Sequence, residues 1–368
     1  MKENRKYLLG AAAVLAVWLG LALAAWFGPK QDVSVSERRK LEQMPELTAE
    51  NVLSGSFMTD FESYSLDQFP LRDQFRQLKA LFHYYCLGQR DNNGIYIADG
   101  YAAKVEYPLD EKSVNYAVSR FQNVYDTYLK DSGSKIYFTM APDKGFYLAQ
   151  ANGYPAIDYA AMQEKITSGL PWASYVDVTP YLSGTDYYRT DTHWRQERLL
   201  PAAGAICRAL GIPEPKEGDY TPTAVERPFY GVYYGQAALP MEPETIYYLQ
   251  SDLLRDCTVF NYENNKKTQV YDLDKLDSRD LYDVFLSGAA ALLTIENPNA
   301  YTDRELIVFR DSFGSSMVPL LVQGYKTVTV VDIRYLMSSY LGNFIDFHGQ
   351  DVLFLYSSLI LNSSSTLK

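Results

Sequence analysis

The sequence is poor in the residues that build metal and redox sites. Three cysteines (Cys86, Cys207, Cys257) and three histidines (His83, His193, His348) are scattered over 368 residues. No Cys-x-x-Cys element or paired His/Cys spacing is present, so no metal and no cofactor are expected. An odd, widely spaced set of cysteines permits at most one disulfide beside a free thiol. Positive charge is also short, with 34 Lys and Arg against 45 Asp and Glu and a net charge of −11. No basic stripe offsets that balance, which excludes nucleic acid as a partner, because phosphate binding needs a basic surface that releases counterions. No glycine-rich phosphate loop follows any apolar run, which argues against a flavodoxin-type nucleotide or phosphate binder. Fixed-period repeats and low-complexity tracts are lacking too.

Apolar residues are plentiful. At 47% hydrophobic and 21% charged the chain can bury a sizeable core. Its length predicts one large domain with insertions, or a domain behind an N-terminal module. Tyrosine is over-represented at 32 residues, with pairs at Tyr84-Tyr85, Tyr187-Tyr188, Tyr233-Tyr234 and Tyr247-Tyr248. A phenol joins an apolar ring to a polar tip, which suits sugar faces and wet surfaces as well as half-buried strands.

The N-terminus bears on location. After Lys2, Arg5 and Lys6, an uncharged, mostly apolar run extends from Tyr7 to Phe27 and is closed by Gly28-Pro29. About 20 such residues span a hydrocarbon core, and the basic tail favours a cytoplasmic N-terminus. The expected organisation is a cytoplasmic tail at 1–6, a transmembrane anchor at 7–28, a juxtamembrane linker at 29–56 and an extracytoplasmic domain at 57–368. The alternative is secretion after cleavage near Ala24, within Ala22-Leu23-Ala24.

Within the domain, residues 57–82 predict two short helices meeting at Phe69-Pro70. Residues 94–100 predict a hairpin, residues 113–130 a helix, and residues 135–140 a strand that feeds the loop Ala141-Pro142-Asp143-Lys144. A strand at 174–179, a polar loop at 186–194 and a helix at 196–210 follow. Uniformly apolar runs begin at Leu292, Leu306, Val328 and Val352, and they fit strands of a parallel sheet covered on both faces. Helices are predicted between the last three, at 313–323 and 335–347. This alternation implies a three-layer α/β/α fold. Residues 215–290 break the alternation and contain an Asn264-Asn265 turn, which predicts a β-hairpin insertion near the mouth of the site.

Two short segments carry the chemistry. Asp191-Thr192-His193-Trp194 offers a carboxylate and an imidazole two positions apart, on one face of an extended segment. Arg310-Asp311-Ser312-Phe313-Gly314 offers a hydroxyl between an apolar run and a predicted helix, where free N–H groups favour developing negative charge. A serine hydroxyl needs a base, and the imidazole of that base needs an acceptor to hold it. Ser312, His193 and Asp191 are therefore candidate catalytic residues. Ser312 or Asp311 can equally cap a helix, His193 can be structural, and Asp191 can form a turn. Lys144, Tyr188, Arg189 and Arg310 are candidates for lining the cleft, and Arg310 can instead pair with Asp311 or Asp332.

Asp191-Thr192-His193-Trp194, with Tyr187-Tyr188-Arg189 upstream, resembles the signature of the bacterial DHHW proteins and of the SGNH-hydrolase-like domain of alginate O-acetylation proteins. Ser36 to Leu41 with Pro45, Asp67 to Asp73, Gly94 to Ile97, Ala141 to Lys144, and Asp311 to Gly314 with Asp332 to Arg334 resemble the DHHW pattern as well. The resemblance implies an SGNH-hydrolase-like (flavodoxin-like) domain outside the cytoplasmic membrane, with Ser312 as nucleophile, His193 as base and Asp191 as its orienting partner. It further implies an acyltransferase or esterase acting on acetyl groups of a cell-surface polysaccharide. A membrane-bound O-acyltransferase would then supply acetyl groups. The sequence departs from the family pattern at Thr192, in place of the first histidine, and at Arg310, in place of a glycine. No Gly and Asn donors for an oxyanion hole can be assigned. A catalytically inactive glycan-binding or assembly protein of the cell envelope is the alternative.

Overall fold

The computed structural model describes residues 2–368, with side chains from Arg5 onward. The expected cytoplasmic tail begins at Met1, outside the described residues. The chain forms two compact units.

The first unit runs to Asn93 and includes Tyr234–Pro240. It opens with helix α1 (Lys2–Phe27), whose stretch from Arg5 to Phe27 is long and apolar enough to cross a membrane. Helices α2 (Ser56–Asp67) and α3 (Arg72–Leu81) meet at a corner containing Phe69-Pro70, as expected from a ring that cannot continue a helix. Leu71, at the entry to α3, takes a left-handed conformation with φ 56°. The turn Phe82–Cys86 prolongs α3. Asp67 is buried at the end of α2, where Arg39 and the Glu42 amide donate to its carboxylate.

The second unit, Gly94–Tyr233 with Met241–Lys368, is the α/β domain. It begins with the expected hairpin of β1 (Ile95–Ala98) and β2 (Tyr101–Lys104). Helix α4 (Glu111–Val124) then leads to β3 (Ile136–Ala141), and α5 (Tyr159–Gly169) leads to the short β4 (Ser174–Tyr175). After α6 (Leu200–Leu210) come β5 (Thr258–Asn261), β6 (Lys266–Thr268), β7 (Leu292–Glu296) and β8 (Glu305–Arg310). Helix α7 (Phe313–Met317), β9 (Thr327–Val331) and β10 (Asp351–Ser357) complete the framework. The sheet order is β6-β5-β7-β9-β8-β10-β3-β4. From β9 to β4 all neighbours are parallel, whereas β7 is antiparallel to both β5 and β9.

Alternation along the strands makes the three layers. On β8, Leu306 and Val308 join one apolar cluster with α6 and the segment after Ser312, while Ile307 and Phe309 join a second with α4 and α5. Both faces of the strand are covered, which explains its unbroken apolar run.

Three expectations need correction. The run at Leu292 is antiparallel, because a strand buried on both faces carries no mark of its direction. The hairpin of β5 and β6 is not a separate flap at the site; it extends the edge of the main sheet. The predicted helix 313–323 is cut at Met317, just before Pro319, and continues only as tight turns, and 335–347 holds only the turn Ser338–Asn343. All three cysteines are free, with Cys207 and Cys257 buried.

Candidate active site

Strand β8 lies where the connectivity reverses: the chain goes from β8 to β9 on one side and then returns to β10 on the other. Crevices in open α/β sheets form beyond the carboxyl ends of strands at such a reversal. Arg310-Asp311-Ser312 leaves β8 there, beside Asp332 after β9 and Ser357 at the end of β10.

Asp311, wholly buried, takes the capping role. Its carboxylate accepts from the Phe313 amide at 2.9 Å and from the Ser357 amide at 2.8 Å, so it holds the start of α7 against β10. Ser312 makes no side-chain capping bond. Its hydroxyl, half-buried, lies 2.8 Å from Nε2 of His193. On the far side of that ring, Nδ1 is 2.6 Å from Oδ1 of Asp191. A carboxylate can only accept, so Nδ1 carries the hydrogen and Nε2 presents its lone pair to the Ser312 hydroxyl.

The Asp191–His193 pair is not extended, contrary to expectation. Tyr187 and Trp194 form an antiparallel bridge, the Tyr188 amide donates to the His193 carbonyl, and the segment between them is a closed loop. Inside it, Oδ1 of Asp191 also accepts from the His193 amide at 3.1 Å. One carboxylate oxygen thereby fixes both the backbone and the ring of the same histidine.

Neighbouring segments brace this loop. Oδ2 of Asp191 accepts from the Val232 amide at 2.8 Å, and the Thr190 carbonyl accepts from the Tyr233 amide at 3.0 Å. The approach is so close that a Cβ on Gly231 would lie 2.3 Å from the Asp191 Cα, so only glycine fits. Glu244 accepts from the amides of Arg189 and Thr190 at 2.7 and 2.8 Å. Lys144 Nζ donates to the Tyr188 carbonyl at 2.7 Å. The imidazole stacks on Tyr282, with centroids 3.9 Å apart and planes 7° from parallel. Tyr282 and Trp194 in turn share hydrogen bonds with Ser316 on α7, at 2.7 and 2.9 Å.

Residues 174–331 match the family model described as DHHW protein. The match to that model spans less than half of the chain. It contains Asp191, His193 and Ser312. A DHHW family protein from Eubacterium siraeum has a similar structure, with a TM-score of 0.62 at 21% identity, covering 75% of this chain and 95% of that one. Bacillus cereus PatB1, solved with a sulfonyl adduct, follows with a TM-score of 0.57 at 18% identity, covering 73% and 94%. PatB1 solved without that adduct gives 0.56 at 19%, covering 73% and 96%. None of the curated proteins compared matches this sequence. At these identities the likeness establishes the fold, and it agrees with the three-layer α/β/α architecture.

The candidate cleft residues fare differently in this fold. Arg189 is exposed. Lys144, Tyr188 and Arg310 are buried and do not line a cleft. Burial pushes the Lys144 ammonium down to about 7 against the pull of Asp191, Glu244 and Asp143, and its bonds go to loop carbonyls. Tyr188 packs edge-on against Phe229 and Tyr282. Arg310 donates to the Gly288 carbonyl at 3.0 Å and lies 3.9 Å from Asp332, the structural alternative. Gly314 does not make room for an acyl group; a Cβ there would lie 2.6 Å from the Cβ of Arg310. The free amides expected at the start of α7 are also engaged, with Phe313, Gly314 and Ser315 donating to Asp311 or Ser312.

Sequence reasoning missed Gly231, Glu244, Tyr282 and Ser316. No local signal marked them, since their partners lie 34 or more positions away.

Proposed function

We propose that the protein is a membrane-anchored, extracytoplasmic serine acyltransferase or esterase acting on acetyl groups of a cell-surface polysaccharide. The observation that carries this reading is the continuous contact from Ser312 through His193 to Asp191. Nε2 of His193 takes the hydroxyl proton as Ser312 Oγ attacks the ester carbonyl, and Asp191 holds the resulting imidazolium. Collapse of the tetrahedral species expels the alcohol, which receives that proton, and leaves an acetyl-serine. Water or a glycan hydroxyl, activated by the same imidazole, then takes the acetyl group. Arg189, exposed on the loop from Tyr188 to His193, is the remaining candidate for contact with the glycan. The acetyl and polysaccharide assignments rest on the likeness of the Asp191–Trp194 segment to alginate O-acetylation proteins, as does a membrane-bound O-acyltransferase as acetyl donor. That PatB1, of similar fold, was solved with a sulfonyl adduct makes a sulfonyl reagent a suitable probe of Ser312. The anchor rests on α1.

One observation favours a catalytically silent glycan-binding or assembly protein: the α7 amides that would hold an oxyanion already have acceptors. Treatment with a sulfonyl fluoride followed by peptide mass mapping separates the two readings. Covalent modification at Ser312, absent in His193→Ala, supports the enzyme, and an unmodified Ser312 supports the silent protein. Turnover of p-nitrophenyl acetate equal in wild type and Ser312→Ala would remove the catalytic assignment.

A further inference from the structure

Helix α3 and the turn after it are inside out. Leu71, Phe75, Leu78, Phe82 and Tyr85 recur at spacings of four and three, the repeat of a single helix face, yet they are 61%, 43%, 63%, 52% and 71% exposed. The charged residues point inward instead. Arg72 and Arg76, only 17% and 19% exposed, converge on Glu37, with Arg76 at 3.1 Å; Arg72 also reaches Asp67, and Arg76 donates to the Gly235 carbonyl at 2.8 Å. A helix that meets only water on its outer face carries the opposite pattern, since apolar area left in water forfeits the free energy of burial. A non-aqueous surface therefore covers this stripe.

The placement of the stripe says which surface. Gln31, four residues beyond the end of α1, exchanges two hydrogen bonds with Gln68 at the α2–α3 corner, at 3.0 and 2.8 Å. A cleft of about 520 Å³ is lined there by Ala24, Gly28 and Pro29 from the end of α1 and by Phe69, Pro70 and Leu71 from the corner. Four residues reach at most about 14 Å, so the stripe starts where the apolar span of α1 stops. We propose that the face Leu71–Tyr85 lies in the headgroup–acyl boundary of the bilayer crossed by α1, as an interfacial helix that fixes the first unit against the membrane. This rests on the reading of α1 as a membrane span.

The test uses the full chain in phosphatidylcholine–phosphatidylglycerol nanodiscs. In a Cys86→Ser background, single cysteines placed in turn at Leu71, Gln74, Phe75, Gln77, Leu78 and Phe82 carry an environment-sensitive fluorophore. Nitroxide lipids labelled near the headgroup or deep in the chain act as quenchers. Labels at 71, 75, 78 and 82 lose fluorescence to the shallow nitroxide, while those at 74 and 77 keep theirs. Native Cys86, the exposed thiol beside Tyr85, provides a further label without any substitution. The Trp18-dependent emission, taken as the difference from Trp18→Phe, reports α1 independently through the deep nitroxide. Quenching of Trp18 with none along the stripe overturns the interfacial helix and leaves the span intact; loss of both removes both. Stripe labels shielded from an aqueous quencher but untouched by lipid nitroxides would assign the face to a protein partner and overturn the proposal.

Discussion

His193 is the residue on which most of the local structure converges, with a carboxylate behind it, a hydroxyl in front and a phenol stacked on its face. Substitutions there separate by role. Ser312→Ala is expected to lower p-nitrophenyl acetate turnover by at least about 10²-fold. Asp191→Asn, which frees the wrong tautomer of the imidazole, is expected to cost about 10²–10⁴-fold while the fold persists, as steady-state kinetics and circular dichroism on the same preparations would reveal. Lys144 gives a pH signature of its own. Burial pushes its ammonium down to about 7, whereas the unfolded side chain keeps its proton to about 10.5. Between those values the unfolded chain binds more protons, so this side chain makes stability rise with pH across that window and contributes no slope outside it. Lys144→Met should reduce the rise in denaturant midpoint between pH 7 and 10. An identical slope in both proteins would rule out the buried ammonium as its source.

Loops, more than strands, set the geometry of the site. The loop from Tyr188 to His193 is clasped by Glu244 at its amides, by Lys144 at its carbonyls and by Val232 at the Asp191 carboxylate. Gly231 is the closest of these approaches. Gly231→Ala is expected to destabilise the fold by about 1–3 kcal/mol, because the added methyl must push Asp191 aside, and to lower turnover disproportionately. Thermal unfolding and esterase assays on one sample would separate the two effects, and an unchanged melting temperature would contradict the close contact. The hairpin of residues 94–104, the break at Pro70 and the strands at 136–141, 305–310, 327–331 and 351–357 were legible, because each depends on periodicity or on a turn residue within a dozen positions. The direction of β7, the edge position of β5–β6 and the early end of α7 were not, since those depend on which strand lies alongside and on how space is filled around it.

On the scale of the whole molecule, the N-terminal helix is long and apolar enough to cross a membrane, ahead of a chain whose net charge is −11. Expressed in a bacterium, the full chain should remain in the membrane pellet after an alkaline wash, with a C-terminal tag open to protease added from outside. Recovery in the medium with an N-terminus near Ala24 would replace the anchor with a cleaved signal.

By itself the sequence determined the three-layer alternation, the apolar N-terminal segment and the identity of the serine, histidine and aspartate, because each is written in spacing along a short stretch. Only the tertiary structure decided that these three residues touch, that Asp311 takes the capping role so that Ser312 faces the imidazole, that Lys144 and Arg310 are buried braces and that Tyr282 carries the ring. Those outcomes depend on segments between 22 and 119 positions apart meeting at one sheet edge, and the meeting point is set by strand order, which no local pattern encodes.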